Sequence, residues 1–401
     1  MRITPTRKTV LAIVLLATTS LVASCGNDSN DLEPVPIFDG NGEFYDVPDP
    51  LPAGAPGALI RVEPVPRDGD TERVTLRVMY HTRDAQDRDV AATGMITYPL
   101  APSPAGGWPV LSWAHGTSGL APPCAPSRSG APPPAFGVQG VIVAADYPGL
   151  GPNGQRHSYL SGKSEGHSVI DIVRAARRIP ESGAGARWAA VGASQGGHAV
   201  LFADELADSY APELDLIGTV AMAPGSNLGE TYPGDSPQVI GIITVLGLFG
   251  IAVDHPQIDP ADYASPELLA ASSILDTACL AEATLALASI PLDELFTADP
   301  RTTEPARSVM IDNDPARRAT SAPLLLLQGD VDPVVVPART DALLAQLCAL
   351  GADVERITIP GAAHEITPAM SALIAPWVDA RLAGEPPASS CDVQRAASSA
   401  S

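Results

Sequence analysis

Ser194 stands in Gly192-Ala193-Ser194-Gln195-Gly196, directly behind an apolar run at 188–191 and ahead of a helical pattern at 196–207. A serine on a strand-to-helix turn presents its hydroxyl above a sheet as a nucleophile toward a carbonyl carbon. The small residues at 192 and 196 let the backbone turn sharply. Such chemistry needs a base to take the hydroxyl proton, an acid to hold the base, and amide donors for the oxyanion. The pentapeptide by itself is a weak signal. A second match, Gly162-Lys163-Ser164-Glu165-Gly166, follows a polar stretch with no strand to feed it, so Ser164 is read as loop. Its Gly-Lys-Ser also touches the phosphate-loop pattern, but the earlier glycine which that pattern requires falls on His157.

For a serine turn of this kind the acid and the histidine follow in that chain order. Beyond the elbow helix the histidines are His255 and His364. His255 precedes any late strand. His364 follows the last one, 354–359, in the loop after Pro360-Gly361-Ala362-Ala363, and is the expected base. The acid should follow the strand before, where the chain reads Gly329-Asp330-Val331-Asp332-Pro333. Both aspartates qualify; Asp332 is preferred because the next loop must curl back toward His364. His198, four residues after Ser194, is expected to cap or pack rather than shuttle protons. One oxyanion donor should be the amide of Gln195. The other should come from the loop WAHGTSG behind the strand 109–114, with Thr117 preferred, its hydroxyl as an extra donor, and Gly116 as the alternative. The segment Asp146-Tyr147-Pro148-Gly149-Leu150-Gly151 should reach the same edge, but its residues imply no chemical role.

The elements that must position these residues read as an alternation. Strand-like runs lie at 74–80, 90–98, 109–114, 141–145, 188–191, 216–221, 323–328 and 354–359. Helical patterns lie at 167–178, 196–207, 339–350 and 368–382. The expected fold is α/β, a mainly parallel sheet flanked by helices on both faces. The rhythm stops between 223 and 322, which reads as a mostly helical insertion. Within it, 239–253 (VIGIITVLGLFGIAV) carries no charge and falls short of the ~20 residues that span a membrane. It is expected either as a buried cap helix or as a mobile apolar wall over Ser194 that receives an acyl chain, with Leu246 and Phe249 among its wall residues.

The 401 residues carry 46 acidic against 24 basic side chains, a formal charge of −22, and 45% are apolar. The apolar content excludes disorder throughout. The negative charge excludes nucleic acid as a main partner. No histidine or cysteine spacing suits a metal, and no cofactor is implied.

Near the N-terminus, Arg2, Arg7 and Lys8 precede an apolar run that ends in Val22-Ala23-Ser24-Cys25. This is a secretory signal whose end looks like a lipobox, so Cys25 is the expected site of lipidation and membrane attachment. The polar, acidic, proline-rich residues 26–56 then read as a tether. Cys124, Cys279, Cys348 and Cys391 remain, and in an exported chain two disulfides fit. The expected organisation is a signal peptide at 1–24, a tether and extension at 25–72, a core at 73–225 and 322–385, a cap at 226–321 and a tail at 386–401.

The elbow GASQGG, the loop WAHGTSG, the segment AADYPGLG and the closing GDVDP and GAAHE together resemble the secretory lipase family, which includes the yeast lipase A enzymes. The resemblance runs roughly from residue 74 to 391 and is weakest in the insertion. It implies an α/β-hydrolase fold with a helical cap, carboxylester hydrolysis, and Ser194, Asp332 and His364 as the triad. It also implies the pairings Cys124–Cys279 and Cys348–Cys391, where spacing alone leaves three connectivities open. The resulting expectation is a cell-envelope serine carboxylesterase or lipase acting on an ester or lipid substrate. The alternatives are a peptidase on the same fold, for which no paired glutamates are evident in the insertion, and a binding lipoprotein without activity, against which all three triad positions are filled.

Overall fold

Apolar strands without alternation need cover on both faces, and the turns that leave such strands are where chemistry collects. The computed structural model describes residues 34–66, 72–152, 154 and 156–392. Among them, β1 (Leu59–Pro64), β2 (Arg73–Arg83), β3 (Asp89–Pro99), β4 (Trp108–Ala114), β5 (Val141–Ala145), β6 (Ala184–Ala193), β7 (Asp215–Met222), β8 (Leu324–Gly329) and β9 (Val354–Ile359) form one sheet. Its order is β1-β2-β3-β5-β4-β6-β7-β8-β9. The first three strands are antiparallel to their neighbours, and β3 is antiparallel to β5. From β5 to β9 every pair is parallel. The loops that follow β4, β5, β6, β8 and β9 therefore leave from one edge.

Helices cover both faces. α1 (Gly162–Arg177), α2 (Gln195–Tyr210) and α7 (Pro337–Ala349) bury Val169, Ile170, Val200, Ala203 and Leu343 in one core layer. α8 (Pro368–Leu382) buries Met370, Ile374 and Trp377 against Leu111, Val191, Val220 and Leu325 in the other. Between β7 and β8 the chain leaves the sheet for α3 (Pro237–Asp254), α4 (Pro266–Ala271), α5 (Leu280–Leu287) and α6 (Ala306–Asp312), which share a separate core. Pro237 opens α3 at a position where no amide is needed, and the Ser236 hydroxyl accepts from the Val239 amide as a cap. α3 is long and apolar enough to cross a bilayer, yet half of it is buried within the protein.

Three sequence expectations change. α1 begins at Gly162, so Ser164 lies in its first turn, fully buried, and is not loop. No strand is needed to feed that turn, because it is an ordinary helix start. β1 was hidden by its polar alternation, Leu59-Ile60-Arg61-Val62-Glu63-Pro64. The stretch expected as a tether is packed from residue 35: Phe44 and Tyr45 are buried with Met79 and Ala91, and the Tyr45 hydroxyl bonds Ser127 Oγ at 2.8 Å. The tail is fastened where Ser390 donates its amide to the Val354 carbonyl, beside the expected Cys348–Cys391 disulfide. Cys25 and the signal segment lie outside the described residues.

Candidate active site

Ser194 sits between β6 and α2 with φ 57° and ψ −117°, a conformation that L-residues rarely adopt. The surrounding packing enforces it. A Cβ placed on Gly192 would come within 2.1 Å of the Gly196 carbonyl oxygen, and one on Gly196 within 1.9 Å of the Ala114 carbonyl oxygen. Only glycine lets the elbow close on the end of β4. The Ser194 amide donates to Met222, and its carbonyl accepts from the amides of His198 and Gly225.

Asp332 and His364 come together from the loops after β8 and β9. His364 Nδ1 donates to Asp332 Oδ2 at 2.8 Å. Asp332 is buried, and its other oxygen accepts from the amides of Val334 and Val335 at 2.8 and 3.0 Å. Gln328 Nε2 adds a longer bond at 3.4 Å. Asp330, the alternative acid, is exposed and accepts from the Gly361 amide. Among the described residues, His364 makes its side-chain hydrogen bond to Asp332 and none to Ser194.

The loop after β4 lies over the elbow: a Cβ on Gly116 would stand 3.7 Å from that of Ser194. The Thr117 hydroxyl is bonded to the Tyr159 hydroxyl at 2.8 Å. Tyr147 donates its hydroxyl to the His115 carbonyl at 2.8 Å, and Leu280 of α5 donates its amide to Ser118. The Cys124–Cys279 disulfide fastens the same region to the cap. Behind it, buried Asp146 accepts from Thr93 Oγ1 and from the amide and hydroxyl of Ser127. Burial pushes its carboxyl up, against those bonds. The segment at 146–151, for which the sequence implied no role, thus braces the loop after β4 through Tyr147.

The space over Ser194 is lined by Leu160, Gly225, Leu228, Val334 and Val335 and by Val239, Ile240, Ile243 and Thr244 of α3. It amounts to about 70 Å³. That is room for about five waters, at the 10–15 Å³ one water needs. A larger cleft of about 430 Å³ adjoins it through Ile240, Thr244 and Arg301. Leu246 and Phe249, expected on the wall, are instead buried in the cap's own core. The wall is the first half of α3, and Leu246 and Phe249 lie on the turns that follow. Arg339 of α7 closes the floor, with all five N–H groups engaged: by Asp235 bidentately and by the carbonyls of Ser226, Asn227 and Glu230.

The sequence reading missed Glu165, His157, Tyr159 and Arg339. None lies at a fixed offset from the elbow, and the bonds that tie Glu165 and Arg339 to the site cross 30 and 113 residues. His198, expected to cap or pack, is wholly buried against Glu165 and the Asn313 carbonyl.

A family model described as secretory lipase matches residues 138–390. Lipase A of Moesziomyces aphidis is 23% identical over 272 residues, 63% of this chain and 57% of that protein. The chain thus spans somewhat over half of that relative's length. Trichothecene C-3 esterase of Fusarium sporotrichioides is 25% identical over 386 residues, 83% of this chain and 81% of the relative. Among solved structures, Candida antarctica lipase A superimposes with a TM-score of 0.72 at 19% identity, covering 87% of each chain. The mostly parallel sheet with flanking helices is the α/β-hydrolase fold.

Proposed function

The chain belongs to the secretory lipase family, and from that premise we propose that it is a serine carboxylesterase or lipase with Ser194 as nucleophile, His364 as base and Asp332 as the acid behind it. The observation that carries the reading is the 2.8 Å Asp332–His364 bond, on the sheet edge where Ser194 is held in its strained elbow. His364 Nε2 takes the Ser194 proton as Oγ attacks the ester carbonyl. The oxyanion accepts from the amides of Gln195 and Thr117. His364 then protonates the departing alcohol, leaving an acyl-serine, and by the same route a water releases the carboxylic acid and restores the serine. Val239, Ile240 and Ile243 give the acid part of the ester an apolar wall, which suits aliphatic acyl chains. No residue role here calls for a cofactor.

Ser194→Ala is expected to abolish hydrolysis of p-nitrophenyl esters, and an organophosphonate should label Ser194 in the parent. Labelling of another serine, or turnover surviving the substitution, would sink the reading.

Family membership and two disulfides make this an exported protein. Within the envelope we assign it to the membrane, held by a diacylglyceryl group on Cys25. A two-chain lipid suffices for stable anchoring where one chain does not. Mass spectrometry of the N-terminal peptide from membranes should find the lipid; an unmodified N-terminus at full yield in the medium would refute it.

A further inference from the structure

Beneath the elbow lies a charged group that the mechanism above does not use. Glu165, in the first turn of α1, is completely buried. Its Oε1 accepts from Gln195 Nε2 at 2.7 Å and from the Leu160 amide at 3.0 Å. Its Oε2 lies 3.1 Å from His198 Nδ1. His198 Nε2 lies 2.8 Å from the Asn313 carbonyl oxygen. Both imidazole nitrogens therefore face acceptors, so both must carry protons, and His198 is an imidazolium. His157 completes the cage. Its Nδ1 sits 2.8 Å from the Pro148 carbonyl, which leaves Nε2 to accept from Gln195 Nε2 at 2.7 Å.

Burial alone would raise the Glu165 carboxyl; the imidazolium of His198 beside it outweighs that and holds the carboxyl below its usual range. Burial likewise disfavours charge on His198, and Glu165 reverses that, so its pKa is raised. Such a pair is a poor way to gain stability, because desolvation takes back most of the Coulomb attraction. What it supplies is aim. Gln195 is the first residue of α2, and its backbone amide is one of the two donors assigned to the oxyanion. With both N–H groups of its side chain claimed, Gln195 has one available placement. Leu160, the other residue Glu165 holds, lines the space over Ser194 with φ 59°, a conformation that needs a partner to persist.

We propose that Glu165, paired with the imidazolium of His198, is a positioning residue for ester hydrolysis, fixing the Gln195 amide for the oxyanion through the Gln195 side chain. The inference rests on the ester-hydrolase reading and goes beyond it. Misplacement of a catalytic donor by about 1 Å lowers rate by about 100-fold. Glu165→Gln, which leaves the imidazolium without a counter-charge, should thus lower kcat about 10- to 100-fold per titrated serine, with KM changed less than about 3-fold. Gln195→Met keeps the backbone amide and the Glu165–His198 pair, and should lower kcat to a similar extent. It decides the matter if the first variant fails to fold. In the Gln195→Met background, Glu165→Gln should add little, because residues acting through one another are not additive.

Active-site titration with a phosphonate normalises each kcat. The proposal is overturned if both single variants keep parental kcat per titrated serine while only melting temperature falls, or if their effects multiply. Hydrolysis that survives Ser194→Ala would instead refute the function reading, whatever Glu165 does.

Discussion

At Asp332 the two carboxylate oxygens have different work. Oδ1 takes two backbone amides and fixes the loop, while Oδ2 faces the donors of His364 and Gln328. An asparagine can satisfy the first pair but must then turn its NH₂ toward His364 Nδ1, a donor against a donor. The imidazole would be forced into the wrong tautomer. Asp332→Asn is therefore expected to lower kcat by roughly 10³–10⁴-fold with the fold intact. Asp330→Asn should stay within about threefold, since Asp330 is exposed and its bond to the Gly361 amide survives as an amide oxygen. A steady-state comparison of the two variants on one short ester checks this, and the reverse pattern would transfer the role to Asp330.

The difference between the two halves of α3 is an element-scale matter. Val239, Ile240 and Ile243 face Ser194, while Leu246 and Phe249 are locked in the cap core. Each methylene that finds the wall should stabilise binding by ~0.8 kcal/mol, about fourfold in kcat/KM. Ile240→Asp or Ile243→Asp should flatten the rise in kcat/KM with acyl length while acetate hydrolysis persists. Leu246→Asp should instead lose all esters together, by burying an unpaired charge. Assaying p-nitrophenyl acetate to decanoate against the three variants separates these outcomes; acetate as the best parental substrate would remove the acyl wall altogether. That the first half forms the wall and the second half the cap core was not legible in VIGIITVLGLFGIAV. A helix shows its inner face by contrast between polar and apolar positions, and this segment has almost none. The elbow was legible for the opposite reason. Close approaches of 1.9 and 2.1 Å forbid side chains at two fixed offsets from Ser194, so the sequence must carry the pattern. Glu165 lies inside a pentapeptide that reads as loop, and its value comes from α1 packing on α2, a contact that leaves no local mark.

For the whole molecule, the two disulfides act on different things. Cys348–Cys391 ties the tail to the last turn of α7, beside the start of β9. Cys124–Cys279 joins residues 155 apart and sits where α5 bonds the loop after β4. Serine replacement of either pair should destabilise by about 2–5 kcal/mol. Only the loss of Cys124–Cys279 should also lower kcat, because only that bridge holds the loop of Gly116 and Thr117. Urea unfolding followed beside ester turnover distinguishes the two; equal kcat in both variants would mean that the loop holds itself.

That bridge has a mechanical consequence for the cap. The insertion is joined to the sheet at both chain ends, pinned near its start by Arg339 on Asp235, and stapled in its middle at Cys279. A slab fastened at its ends and its centre keeps no axis on which to swing. What can bow is the span between two fasteners, and the first half of α3, less buried than Thr244–Ile251, lies between Asp235 and Cys279. Entry to Ser194 then resembles a letter slot more than a door. A slot admits a straight chain end-on and turns away a branched acid of equal apolarity, so shape would sort the esters before the serine meets them.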